Sequence, residues 1–580
     1  MMPSRLCSFV SLVCAVFCKP PTYGQTPGVQ VERLTGLADP LNDDWTTEKH
    51  WTHSKHQLGS LADWLKSGTD SNQLQTIVIA DASATALRPE NLERKRLAGR
   101  SSIARYRRSG ATERSQRVGQ ALHTLVSPIR EKGRSLRLEF KVVGLPAAAQ
   151  DQWTTIVRYE AFSQADPGVI EQTAEWSVDW VKGESEDHPL IHGIDLLWFE
   201  EATRDRLMFQ DCTRGVIRDG WDETLQFGAD FWYGKIDAVG EITFFGHNGI
   251  AIGDVNGDGL EDLYVAMSTG LPNKLFVRQA DGTVRDTAEQ AGVAWLDDTK
   301  GVLFADMDND GDQDLLCAIG PTIVLCKNDG TGRFDRFVSM KAPEAASFYS
   351  LCAADFDLDG DLDIYGVRYV HVRYGLSVPM PFHDANNGPP NHLLRNDGDD
   401  RYLDVTEETG LNVNNTRFST ACAWQDYDND GDPDLYVTND FGRSNLYRND
   451  GGKFVDVAAQ VGAEVQAAGM GVAWSDFDLD GDFDLYQSNM FSAAGNRIAY
   501  QPRFKAEAAP EIRREVQGHS LGNALLRNEG NGTFRDFSEQ AGVRMGRWAW
   551  GSKFVDINND GYDDIMVPNG FLTNDRKDDL

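Results

Sequence analysis

The 580-residue sequence predicts a mainly β protein: a β-propeller with six motif-bearing blades, seven at most, preceded by a small α+β domain. Three observations predict it. An aspartate-rich stretch recurs six times, the copies lie 52, 49, 71, 50 and 80 residues apart, and a hairpin-like pattern follows most of them. About fifty residues is one propeller blade, so the two long spacings read as loop insertions.

In chain order, residues 1–24 read as an export signal. Arg5 precedes an apolar run from Leu6 to Cys18, too short to span a bilayer, with small residues near Thr22–Gly24. Residues 25–110 form a poorly defined polar and basic region with a helix near Leu58–Ser67. Between Arg88 and Lys141 there are 15 Lys/Arg against 5 Asp/Glu, and the part from Arg88 to Arg117, with ERKR and RYRR, reads as a solvated helix or linker, or as a surface for an acidic polymer. Residues 111–203 read as the α+β domain. Val118, Leu122, Leu125, Val126 and Ile129 have helical spacing, and four alternating runs after them (LRLEFKVV, WTTIVRYEAF, IEQTAEWSVDWV, HGIDLLWFEEA) predict antiparallel strands. Trp153, Trp176, Trp180 and Trp198 read as core. The net charge of −33 argues against nucleic acid as a partner and for cations.

Residues 204–580 hold the repeats. The copies GIAIGDVNGDGLEDLYVA, GVLFADMDNDGDQDLLCA, SLCAADFDLDGDLDIYGV, ACAWQDYDNDGDPDLYVT, GVAWSDFDLDGDFDLYQS and GSKFVDINNDGYDDIMVP share the form D-x-[DN]-x-D-G-x-x-D. Position 1 is Asp254, Asp306, Asp355, Asp426, Asp476 and Asp556; position 3 is Asn256, Asp308, Asp357, Asp428, Asp478 and Asn558. Position 5 is Asp258, Asp310, Asp359, Asp430, Asp480 and Asp560; position 9 is Asp262, Asp314, Asp363, Asp434, Asp484 and Asp564. Clustered carboxylates repel one another unless a cation holds them. Hard oxygens at these positions, with glycine at position 6 for the sharp turn, suit Ca²⁺ and predict about six sites. Zinc fits poorly, because no His or Cys falls within the loops. An EF-hand needs a glutamate at position 12, where Val265, Cys317, Gly366, Val437, Gln487 and Val567 stand; the following residues read as strands. That also excludes dockerin-type loops.

The hairpin pattern reads NKLFVRQADGTVRDTAEQAGV from Asn273, NHLLRNDGDDRYLDVTEETGL from Asn391, SNLYRNDGGKFVDVAAQVGA from Ser444 and NALLRNEGNGTFRDFSEQAGV from Asn523. Each period therefore supplies a strand, a loop, a strand and a hairpin, a four-stranded antiparallel blade. No hairpin follows the sixth loop, and LMFQDCTRGVI from Leu207 is expected to close the ring as a strand paired with the C-terminal blade.

These repeats resemble FG-GAP (VCBS) repeats, the calcium-loop blades of integrin α-subunit propellers. Loop plus N-x-L-x-R-N hairpin is similar to the cartilage acidic protein family, without its usual C-terminal domain. The resemblance implies Ca²⁺ at the four positions of each loop, and recognition or adhesion at a surface.

The expected function is thus that of an exported, secreted, periplasmic or cell-surface module that recognises an extracellular protein or glycan. The alternative is an extracellular enzyme acting on polysaccharide or another polymer through the insertions. No catalytic set is evident: GHSLG at Gly518–Gly522 imitates a nucleophile elbow, but a charged helix-like run precedes it and a strand follows. In the insertions, His383, Asp384, Asn386 and Asn387 with Arg497 and Tyr500 form the candidate recognition surface, against packing between blades. Cys212, Cys317, Cys326, Cys352 and Cys422 lack the spacing of a disulfide framework and read as mostly buried, inert thiols.

Overall fold

The computed structural model describes residues 46–568 except 68–70, 97–101, 109–112, 131–134, 150, 165–167, 186, 208, 219–222, 228–231, 233–247, 344–345, 372–377 and 502. The expected export signal lies outside the described residues. The chain divides into two compact units: residues 1–210 with 496–501, and residues 211–495 with 502–580. Among the described residues no helix is long and apolar enough to cross a membrane.

In the first unit, α1 (Thr46–Ser67), α2 (Ser71–Gln75) and α3 (Val118–Val126) accompany one eight-stranded sheet. Its strands are β1 (Val78–Ala84), β2 (Glu93–Arg96), β3 (Ser102–Arg107), β4 (Gln116–Arg117), β5 (Ser135–Ala148), β6 (Gln152–Gln164), β7 (Val169–Val181) and β8 (Leu190–Arg204). The order is β2-β3-β8-β7-β6-β5, with β1 parallel to β8 and antiparallel to β4. Along β6, Trp153, Thr155, Val157, Tyr159 and Ala161 all point inward, as period-two alternation requires. All but Thr155 join Leu58, Leu61 and Leu65 of α1 and Leu122 and Leu125 of α3 in one core. Trp153, Trp176 and Trp180 are buried there, whereas Trp198 is half-buried beneath the Arg158 guanidinium.

The sequence reading of residues 25–110 needs correction. Helix α1 and strands β1–β3 belong to this unit, and the basic run forms strands rather than a helix or linker. Strand β8 supplies the reason, because it carries carboxylates that neutralise the run. Arg88 makes two bonds of 2.7 Å to Glu201, Arg105 pairs with Glu200, and Arg114 bridges Asp195 at 2.9 Å and Asp179.

The second unit is the propeller. Five blades are four-stranded antiparallel sheets in sequential order. The first runs from Ile250–Gly253 through Asp262–Val265 and Lys274–Arg278 to Val284–Asp286. The others open with Thr299–Ala305, Ala346–Ala354, Phe418–Gln425 and Gly469–Ser475. The sixth shows Lys553–Val555 paired with Asp564–Met566 among the described residues. The first strand of each blade lies beside that of the next. Glycine permits this closeness: a Cβ on Gly471 would lie 2.8 Å from the Cα of Gly551 on the following blade. The two insertions fall between the second and third strands of blades three and five, where the long spacings placed them.

Among its described residues, the expected closing segment from Leu207 forms no strand. Asp211 accepts the Thr213 N–H and opens a short helix, Thr213–Val216, after which Ile217 bridges to Val284 of the first blade. Three expected hairpin tails differ likewise. Asp286, Asp456 and Asp536 accept the N–H of Ala288, Ala458 and Ser538, starting single helical turns that end at Gly292, Gly462 and Gly542 in the left-handed conformation.

Candidate metal centres and the insertion loop

Each aspartate-rich loop is folded by its own side chains. The position-1 carboxylate accepts two backbone N–H groups, from position 5 and from the glycine at position 6. In the fifth loop, Asp476 takes the N–H of Asp480 at 2.9 Å and of Gly481 at 3.0 Å. The other five position-1 aspartates do the same. Position 4 is left-handed in every loop: Gly257, Asn309, Leu358, Asn429, Leu479 and Asn559 all have φ between 56 and 68°. The position-6 glycines follow with φ of 81–101°. Two left-handed residues curl the backbone, and positions 1 and 3 meet position 5 in the second and third loops and position 9 in the fourth and fifth.

Position 9 ties the loop to its blade. Asp434 accepts the N–H of Tyr427 in the loop at 3.1 Å and that of Asn449 on the third strand at 2.8 Å. The position-9 residues of the other four complete blades make the same pair of bonds. Burial pushes the carboxyls of Asp314, Asp363, Asp434 and Asp484 up to about 7, with the neighbouring loop aspartates adding to it. The backbone donors pull them back only partly. A cation among these oxygens would reverse that balance.

The residues present fit a cation. Oxygens of Asp306, Asp308 and Asp310 lie within 4.8 Å of one another, as do those of Asp355, Asp357 and Asp359; Asp426, Asp428 and Asp434; and Asp476, Asp478 and Asp484. The first and sixth loops offer the amide oxygens of Asn256 and Asn558 at position 3 instead. At that position an oxygen of Asp428, Asp478 and Asn558 is buried without any hydrogen-bond partner, as a ligand awaiting a cation would be. In the second loop the Lys327 ammonium already sits 2.7 Å from Asp308 and 2.6 Å from Asp400, and in the fifth Arg527 lies 3.5 Å from Asp478.

One set of residues was missed by reasoning from sequence. Asn328, Asn396, Asn449 and Asn528 end the third strands of blades two to five. Their side-chain amides donate to the position-2 carbonyls of the preceding blade's loop: Val255, Met307, Phe356 and Tyr427, at 2.8–3.0 Å. Each loop is thereby riveted to the next blade. The signal was the asparagine recurring after Lys or Arg in these hairpins; the first blade has Gln279 there.

The first insertion is pinned by charge. Asp384 pairs with Arg417 at 2.6 Å and Arg443 at 3.3 Å, and Arg443 continues to Glu464 and Glu515. His383 lies 3.4 Å from Glu515. Asn386 accepts the Thr416 hydroxyl, while Asn387 closes the loop on Met380 and Val378. Asn386 and Asn387 are exposed beside Val378 and Met380, two-thirds exposed each. Arg497 does not belong to such a surface. It is buried in the first unit, bonded to Glu48 at 2.6 Å and stacked 4.0 Å over Trp51. Tyr500, exposed, belongs to that unit too. The GHSLG segment follows the helix Pro510–Gly518 and precedes the strand Ala524–Asn528, the reverse of an elbow.

A family model described as the FG-GAP-like repeat matches residues 254–317, 306–366, 426–486 and 516–567, which include all six loops. These are FG-GAP-like repeats. The chain is also similar to cartilage acidic protein 1 of Xenopus tropicalis, 31% identical over 135 residues, covering 22% of this chain and 20% of the relative. With the Mus musculus protein the identity is 32% over 125 residues, covering 20% and 19%. The match thus spans about a fifth of the length of these curated relatives. Among solved structures, an Agrocybe aegerita lectin recognising non-reducing terminal N-acetylglucosamine aligns at a TM-score of 0.34 and 17% identity, covering 56% of this chain and 75% of the lectin. The periplasmic gluconolactonase of Pseudomonas aeruginosa aligns at 0.28 and 9%, covering 69% and 95%. Scores this low assign no ligand to this chain.

Proposed function

We propose that this chain is an exported, calcium-stabilised propeller that recognises a protein or glycan outside the cell, as an adhesion module does. The observation that carries it is the repeated convergence of loop oxygens, some buried and unpartnered, on points that suit a hard cation. Six divalent ions would bring about +12 to an acidic ring and relieve its self-repulsion. Extracellular calcium modules bind at roughly 10⁻⁴–10⁻³ M, so the sites would fill outside a cell and stay empty inside one. Recognition falls to the first insertion. Its exposed apolar tip (Val378, Met380) beside two amides stands on a charge-pinned base, which lowers the cost of ordering on binding.

Thermal unfolding of the full chain in millimolar calcium, in magnesium and in excess chelator tests the metal part. A calcium-specific rise in Tm is expected; equal melts in all three would reduce the loops to Asp-Gly turns. Recognition is tested on a glycan array and on immobilised extracellular proteins. Val378→Ser with Met380→Ser should abolish any binding seen while leaving the melt unchanged.

A further inference from the structure

Two thiols in the propeller stand apart from the metal chemistry. Cys352 lies on the first strand of blade three and Cys422 on the first strand of blade four, side-by-side strands of different sheets. Their sulfurs are 3.0 Å apart, closer than two thiols pack by dispersion alone. They sit in an apolar cluster with Tyr365, Leu435 and Val437. We propose that Cys352 and Cys422 form a disulfide that staples blade three to blade four.

A disulfide needs sulfurs at about 2.05 Å, so the pair must close by about 1 Å. The reaction is a thiol–disulfide exchange. The thiolate of one cysteine attacks an oxidant disulfide and releases one thiol of it; the second cysteine then displaces the other. The products are the Cys352–Cys422 bond and the oxidant's two thiols, with two hydrogens moved from the protein to the oxidant. In vivo the oxidant would be a disulfide-bearing oxidoreductase of an export compartment, which rests on the export proposed above. In vitro, oxidised glutathione serves. Burial raises the Cys352 thiol, so the bond forms as the blades assemble and exchanges slowly afterwards.

The remaining thiols form an internal control. Cys317 and Cys326 are also neighbours, but on paired strands Cys317 faces Val324 and Cys326 faces Leu315. Such diagonal positions are roughly 7–8 Å apart, beyond the Cα range a disulfide tolerates. Cys212 is exposed and has no sulfur close to it among the described residues. One bridge and three free thiols are therefore expected among these five cysteines.

The test uses the full chain, reduced, denatured and refolded in calcium with a mixture of oxidised and reduced glutathione, then alkylated in denaturant without reduction. Tryptic mapping should give peptide 342–368 joined to peptide 418–443, separating on reduction, with Cys317 and Cys326 alkylated. Alkylation of Cys352 and Cys422 without reduction would overturn the proposal. Cys352→Ser, Cys422→Ser and the double variant should each lower Tm by the same roughly 3–10 °C, and reduction should lower only the parent. Additive losses in the double variant would mean two separately packed thiols and would also overturn it.

Discussion

At the scale of single residues, the loops show which side chains the backbone needs and which it only tolerates. Position 4 must be left-handed, and glycine or asparagine serves in four loops, but Leu358 and Leu479 hold it in the third and fifth at φ of 58 and 61°. Both leucines are more than half exposed, so they return little burial for the conformational cost. Leu358→Asn should therefore stabilise the propeller by about 1 kcal/mol, measured by urea unfolding in chelator. A loss of stability would mean that Leu358 packs in a way its exposure does not suggest. The rivet asparagines work in the opposite direction. Asn396 is buried, donates to the Met307 and Leu362 carbonyls at 3.0 and 3.3 Å, and accepts the Gly398 N–H at 3.1 Å. Asn396→Ala strands a buried carbonyl on the neighbouring blade and should cost about 1–3 kcal/mol in the same assay. Asn396→Asp should be at least as damaging, because a carboxylate cannot donate.

At the scale of elements, legibility followed periodicity. Strands with strict alternation, the loop register and the positions of both insertions were readable, because side chains two apart share a face and fifty-residue spacing fixes the blade. The helical turns at Ala288–Ala291, Ala458–Val461 and Ser538–Ala541 were not, since four residues carry no period and only the aspartate two residues before each and the terminal glycine betray them. The basic run hid its strands, because Arg88 and Arg105 find their carboxylate partners on β8, 113 and 95 residues away. Arg497 was misread for the same reason: its partner Glu48 is 449 residues distant, and nothing local distinguishes a buried ion pair from a binding arginine. The first insertion gives the prediction at this scale. Asp384→Ala leaves Arg417, barely exposed, without a counter-charge and removes one partner of Arg443. The variant should lose about 1.5–3 kcal/mol, and limited proteolysis should cut first between residues 378 and 391. Cleavage elsewhere first would show that the insertion is held by its packing and not by Asp384.

At the scale of the whole molecule, the buried position-9 aspartates make stability depend on pH and calcium together. In four loops the folded carboxyl is pushed up to about 7, chiefly by burial, against an ordinary value near 3.8. The native state without metal then binds more protons than the unfolded chain throughout that interval. Its stability must fall as pH rises from about 4 to about 7, and level off above. Calcium changes the sign of the effect. A divalent cation beside these oxygens favours their ionised form, so binding releases protons and tightens as pH rises through the same window. Calcium should hence raise Tm little at pH 4.5 and strongly at pH 7.5, each site contributing about 2.7 kcal/mol at a hundredfold excess over its Kd. Melts in chelator and in calcium at half-unit steps from pH 4.5 to 8 would check this. The two curves should lie close together at the acid end and diverge upward. Parallel curves would mean that the position-9 carboxylates serve only as backbone anchors and that the cation is held by positions 1, 3 and 5 alone.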